Sequence, residues 1–418
     1  MTICGDAVRE AKGQQGQQGP PDWKRTFWTL CGVQCAAMLA FGMATPFLPL
    51  YVREMGVTDA RDAAKWAGGM SAGGMLVMAA MAPVWGTIAD RHGRKPMVTR
   101  ALYGGGLVVA VMGLARSPEQ LLALRLVQGA FSGTVSATRT LVSSVAPPAQ
   151  LGYVLGTMQT AGFLGNTAGP LVGGFIADRV GFGPTFLTTG VILIVTGLIT
   201  MPLVREDFRR PAVTEGGTRS FGAAVRLVLQ TPGLPALIGT LFFVQAGMAA
   251  VQPVLPLFVG ELIHSEEGVA TLAGLMLGVA AATGALAAGF AGRVGDRLGH
   301  GRVVAACSLL AALFYLPQAA VTAPWQLVAL RAVQGTFTGG LIPGVMAIIA
   351  VRTPVARRGL VFGLTATSTA LGNAFGPIAG ATAASLFGLR GAFVVTAIVL
   401  GAAGVWAALA LQRPSAAS

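Results

Sequence analysis

Charge is scarce in this sequence. Only 11% of its residues are Asp, Glu, Lys or Arg, whereas a soluble domain carries roughly 25%. So few charges cannot cover a water-facing surface, and that excludes an ordinary globular domain in water. Cysteine is scarce too. Of the four, Cys4, Cys31, Cys35 and Cys307, the pair Cys31 and Cys35 sits at i, i+4 on an apolar stretch with no His or acid nearby. No metal site follows from them, and they read as small buried hydrophobes. Residues 1–22 hold a QQGQQG tract and no apolar run of the kind a secretory signal needs, so they are expected to be a disordered tail rather than a targeting segment.

What is present is hydrophobic. Apolar residues make up 54% of the chain and the mean hydropathy is +0.68. A bilayer span needs about 20 mostly apolar residues. Such runs occur near 27–50, 66–88, 97–115, 120–143, 151–177 and 184–204, and again near 233–259, 269–291, 302–320, 325–351, 358–384 and 391–411. The fold class expected is therefore an all-α membrane protein of twelve spans in two six-helix bundles. The division is a polar tail at 1–26, a first bundle at 27–204, a linker at 205–232, a second bundle at 233–412 and a C-terminal stub at 413–418. The linker has five Arg, two Pro and an amphipathic stretch after Ser220 that suits a membrane surface.

The formal net charge of +13 would suggest nucleic acid in a soluble protein. Here the basic residues lie between apolar runs. With the N-terminus in the cytosol, 21 of the 29 Lys and Arg fall on cytosolic segments, Arg100 and Arg139 among them, six fall opposite, and Arg125 and Arg331 fall within spans. The positive-inside rule accounts for that split and puts both termini in the cytosol, with no nucleic-acid partner.

The two halves repeat. GTIADRHGR (86–94) matches GRVGDRLGH (292–300) and LRLVQG (124–129) matches LRAVQG (330–335), each at an offset of 206. GNTAGPLVG (165–173) matches GNAFGPIAG (372–380) and PFLPLYV (46–52) matches PVLPLFV (253–259), each at 207. Two six-span halves in parallel repeat form a transporter architecture with its substrate site near the midplane between them.

These blocks resemble the major facilitator superfamily over essentially all of 24–412. GTIADRHGRK is similar to its cytosolic loop signature, LALRLVQG in span 4 to its basic-residue motif, and GFLGNTAGPLVGG in span 5 to the antiporter signature of its drug:proton antiporter branch. The opening DWKR (22–25) and PFLPLYV look like bacterial multidrug exporters with twelve spans. The resemblance implies export by alternating access, a loop of Gly86, Asp90, Arg91, Gly93 and Arg94 with the counterparts Asp296 and Arg297, and an antiporter motif of Gly165, Gly169, Pro170 and Gly173. In the family such a loop acts as a latch, with an Arg bonded to an acid at the end of span 4. This chain departs there, since no Asp or Glu lies between Glu119 and Asp178. The latch is left with carbonyls or Asp90 alone.

The residues carry chemistry of their own. Gly86 and Gly93 allow backbones to approach. Asp90 ends a span and suits the positive N-terminus of another helix. Gly165, Gly169 and Gly173 share one helix face, which Pro170 bends; that face suits helices that rock past each other, or static close packing. Arg125 sits six residues into span 4, roughly 9 Å deep. Gln128 shares its face, and no acid on that helix neutralises it. It either snorkels to headgroups or faces a cavity. Arg331 and Gln334 repeat the pair, and Gln34 in span 1 is the remaining candidate for substrate binding or coupling.

None of the 16 acids lies well inside a span, and His92, His264 and His300 are all in loops. A buried acid would be the natural proton carrier and the natural partner of a cation. Without one, neutral or anionic amphipaths fit better, and a coupling proton is carried near a membrane surface or with the substrate, Asp90 being the first candidate. The reading is a proton-coupled exporter of amphipathic small molecules in the bacterial cytoplasmic membrane, multi-pass, monomeric, not an enzyme and without cofactor. The rivals are an importer or facilitator of a nutrient or organic anion and a non-transporting receptor or scaffold.

Overall fold

The computed structural model describes residues 23–204, 206, 226, 228–231, 233–265, 267–353 and 358–411. The tail at 1–22, the amphipathic stretch expected after Ser220 and the stub at 413–418 lie wholly or mostly outside the described residues. In the first half, span 1 is α1 (Trp23–Ala44) and α2 (Leu48–Glu54), span 2 is α3 (Ala60–His92), and span 3 is α4 (Lys95–Met112). Span 4 is α5 (Pro118–Phe131) and α6 (Thr134–Val145), span 5 is α7 (Leu151–Val180), and span 6 is α8 (Phe182–Leu203). In the second half, span 7 is α9 (Leu234–Ala250) and α10 (Leu255–Ile263), span 8 is α11 (Val269–Leu298), and span 9 is α12 (His300–Tyr315). Span 10 is α13 (Pro324–Thr338) and α14 (Leu341–Arg352), span 11 is α15 (Arg358–Phe387), and span 12 is α16 (Leu389–Leu411).

The prolines of the repeated PFLPLYV and PVLPLFV blocks fall where spans 1 and 7 break, since proline removes an N–H from the helical ladder. Eight of the spans are long and apolar enough to cross a membrane by length and composition. The other four are spans 3, 4, 5 and 11. They hold Arg100, Arg125 and Arg139 or the Gly-Asn-Pro blocks, residues that suit a protein interior or a water-filled cavity better than lipid.

The halves pack by the same plan. Spans 1 and 5, 3 and 6, 1 and 6, and 2 and 4 pair in the first bundle; spans 7 and 11, 9 and 12, 7 and 12, and 8 and 10 pair in the second. Between bundles, span 5 packs on span 8 and span 2 on span 11. Each crossing uses one contact repeated. The Pro170 carbonyl lies against Gly274, where an added Cβ would collide with it, and the Pro377 carbonyl would lie 2.8 Å from a Cβ on Gly68.

These crossings all lie on the side away from the chain ends. There a single hydrophobic core joins both bundles, including Tyr51, Phe186, Phe258 and Phe393. Toward the chain ends the core divides into one cluster around Phe27 and Leu193 and another around Leu241 and Ile349. Asp178, at the end of α7, adds a polar bond on the joined side: its carboxylate accepts the N–H groups of Ala270 (3.1 Å) and Thr271 (2.7 Å) in the first turn of α11. Negative charge at a helix N-terminus is favourable. The bundles are therefore closed on one side and parted on the other.

Candidate functional site: the cavity between the bundles

A cavity of about 920 Å³ occupies the space between the bundles. It runs from Pro46, Leu48 and Pro253 at the closed side to Thr140 and Phe362 toward the chain-end side. Met38, Phe41, Met75, Met78, Leu277 and Phe362 make most of it apolar. Most of its polar groups come from span 4, among them Arg125, Gln128, Ser132 and Arg139, and Thr45, Ser71, Asn166 and Gln252 supply the others. Among the described residues, no Asp or Glu lines it.

Arg125 is turned into the cavity rather than toward the outer headgroups. It is 7% exposed, and its Nη1 donates to Gln128 Oε1 at 2.7 Å. Gly74 and Gly129 let α3 and α5 approach closely beside it. The repeat partner departs from this pattern. Arg331 lies between the rings of Tyr315 and Phe393, 5.7 and 5.9 Å from their centres, and lines no part of the cavity. Gln334 donates to Thr338 instead of meeting Arg331. Gln34 is buried behind the wall, accepting from Thr138 Oγ1 at 2.7 Å.

Arg139 was counted above with the cytosolic charges, yet it lies within α6 on the cavity wall, where its Nη2 donates to Gln159 Oε1 of span 5. Its position inside the run 120–143 was the available signal. Arg100, also counted as cytosolic, is likewise helical, in the second turn of α4.

The turn between spans 2 and 3 solves its missing acid in an unexpected way. Arg94 Nη1 donates to the Thr140 carbonyl of α6 at 3.3 Å, the carbonyl partner anticipated above. The acid comes from elsewhere. Glu206, just past span 6, accepts the backbone N–H groups of Arg94 and Lys95 at 2.7–3.0 Å and caps α4. Gly93 is required by its φ of +97°. Asp90 and Arg91 are exposed and bond to no described residue, and Gly86 faces open space in this conformation. Asp296 pairs with His300 at 3.3 Å, and Arg297 is exposed.

The face of Gly165, Gly169 and Gly173 packs within its own bundle, against the carbonyls of Cys35, Leu39 and Met43 on span 1. The neighbouring stripe of Thr167, Pro170, Leu171 and Gly174 meets span 8. Static close packing thus describes the antiporter glycines in this conformation, and the bundle crossing is borne by residues about a quarter-turn to half-turn away.

Two helical bundles of matching plan, closed at one side around a lined central cavity, define a multi-pass transporter that works by alternating access. The model of the Major Facilitator Superfamily matches residues 30–269 and 237–418. The chain belongs to that superfamily. It is 34% identical over 400 residues to "Multidrug resistance protein MdtG" of Dickeya zeae, covering 95% of this chain and 97% of the relative. It is 33% identical to the protein of that name from Enterobacter lignolyticus, covering 95% and 94%. Among solved structures, a bacterial homologue of the human lysosomal transporter Spinster, inward-facing and unoccupied, shares the fold at a TM-score of 0.75 and 17% identity, covering 96% of this chain and 100% of that one.

Proposed function

We propose that this chain exports amphipathic small molecules across the bacterial cytoplasmic membrane in exchange for protons, as a monomer. The observation that carries the reading is the cavity, an apolar space of about 920 Å³ with two arginines and no carboxylate among the described residues of its wall. Such a site takes neutral amphipaths or ones with an anionic group, and disfavours cations. The antiporter motif and the multidrug resistance relatives support the outward direction. The division into bundles at 27–204 and 233–412 around a 205–232 linker belongs to the same reading.

With both termini cytosolic, this conformation is open to the cytosol and closed outside. That orientation rests on the charge split of 21 to 6, which is still 19 to 6 when Arg100 and Arg139 are left out. Cysteines introduced at Thr58 and His264 then react with an impermeant reagent in intact cells, and one at Glu215 does not. Labelling at 215 from outside overturns the orientation.

The proton is carried near a surface or with the substrate, and Asp90 is its candidate carrier. In proteoliposomes given a pH gradient, the wild type moves an amphipathic carboxylate dye faster than without one. Asp90→Asn lowers that flux about tenfold at unchanged membrane abundance, a barrier change of ~1.4 kcal/mol. Asp296→Asn costs less, because His300 already holds Asp296. Wild-type flux that ignores the gradient removes the proton, and full flux in Asp90→Asn removes Asp90.

A further inference from the structure

We propose that Trp85 and Arg100 form a brace that sets the break in span 4 and ties the turn between spans 2 and 3 to the cavity arginine; this rests on reading the cavity as the substrate site. Helix α5 stops at Phe131, Ser132 is extended, Gly133 takes φ +118°, and α6 begins at Thr134. A helix broken inside a membrane protein strands carbonyls that must find donors elsewhere. Two such donors reach the break from other spans. Trp85 Nε1 donates to the Ala130 carbonyl at 2.7 Å, and Arg100 Nη2 donates to the Ser132 carbonyl at 3.2 Å. The Arg100 guanidinium carbon lies 3.7 Å from the centre of the Trp85 ring, so cation–π attraction holds the two donors together as one unit.

From the break a series of hydrogen bonds leads to the cavity. Ser132 Oγ donates to the Gln128 carbonyl at 2.9 Å and accepts from Gln128 Nε2 at 3.1 Å. Gln128 Oε1 in turn accepts from Arg125 at 2.7 Å. Trp85 on α3 and Arg100 on α4 lie either side of the turn at Gly93 and Arg94, and Arg94 holds the Thr140 carbonyl beyond the break. The turn therefore grips span 4 on both sides of its discontinuity, and a shift of the turn moves Ser132 and Gln128 with it. Neither Trp85 nor Arg100 lines the cavity, so both are positioning residues.

The second bundle is the internal control. Ala291 and Ala306 stand at the offset of 206 from Trp85 and Arg100. Span 10 also divides, between α13 and α14, but Gly339 and Gly340 keep helical dihedrals, φ −60° and −85°, with no extended or left-handed residue between the two helices. Its arginine, Arg331, sits among aromatic rings outside the cavity. Where the brace is missing, the extended and left-handed residues of the break and the cavity arginine are missing with it.

The test uses the full chain with its four cysteines replaced and one cysteine introduced at Ser136, which lines the cavity just past the break. In detergent, equilibrium binding of an amphipathic carboxylate dye and of its uncharged ester is measured beside the rate of maleimide labelling at 136. Arg100→Gln is expected to weaken carboxylate binding about tenfold, and Trp85→Phe, which keeps a ring under the guanidinium but loses the N–H, about threefold. Ester binding stays unchanged, and labelling at 136 changes by about threefold or more in both variants. Equal loss of carboxylate and ester binding shows a general packing role and overturns the proposal, as does wild-type behaviour in both variants. If Arg100→Gln does not fold, Trp85→Phe alone decides by the same criteria. A wild type that binds neither dye sinks the substrate reading, while the labelling rates still judge the brace.

Discussion

Arg125→Leu abolishes export, by at least about a hundredfold, and Arg125→Lys already lowers it about tenfold, or ~1.4 kcal/mol in the barrier. The charge alone is not enough, because Lys lacks the planar fork that bonds Gln128 while leaving further N–H groups for a ligand. Arg125 is the buried cation of a wall with no acid. Inserting an Arg deep in a span costs roughly 2.5–3.5 kcal/mol, and Arg125, unlike Arg331, bears that cost on the cavity wall, where an anionic ligand can offset it. Arg331→Leu costs much less transport, since Arg331 touches Tyr315 and Phe393 and not the cavity. Flux in proteoliposomes at matched protein content checks all three variants. Full export by Arg125→Leu would take this residue out of the mechanism.

Gly274→Val is expected to stop export by preventing closure of the outer side. Any side chain at Gly274 meets the Pro170 carbonyl, a backbone atom of a packed helix that cannot rotate away. Gly68→Val does the same across the other crossing, against the Pro377 carbonyl and the Ala381 methyl group. Both variants should reach the membrane, because each bundle's own core is untouched. With the crossings wedged apart, the protein is held with its cavity open to the outside. A single cysteine at Leu277, on the cavity wall, then reacts with an impermeant maleimide added to intact cells, whereas it is protected in the Gly274 parent. Normal export by Gly274→Val would show that the closed side is not part of the cycle.

Much of this architecture was legible in the residues. Low charge and long apolar runs select lipid as the solvent, and in lipid only helices bond all of their own backbone in a single segment. The offset of 206 to 207 made the two halves visible, and the same offset relates Pro170 to Pro377 and Gly68 to Gly274 at the crossings. The placing of Arg125 and Gln128 on one face followed from helical spacing, as did the shared face of the antiporter glycines.

Helical spacing says which residues share a face, but not what that face meets. The sequence by itself determined the spans, the repeat, the charge asymmetry and the lack of an acid in the apolar runs, because these are sums and periods along the chain. Only the tertiary structure decided that Arg125 faces the cavity while its repeat Arg331 packs among rings, since nearly identical motifs diverge when their neighbours on other helices differ. It also decided that Glu206, 112 residues from Arg94, supplies the acid at the turn. That partner is chosen by where span 6 ends in space, and no local pattern encodes it. Arg139 and Arg100 moved from presumed loop charges to the interior for the same reason: a basic residue near the end of a span is placed by the packing of the other helices around it.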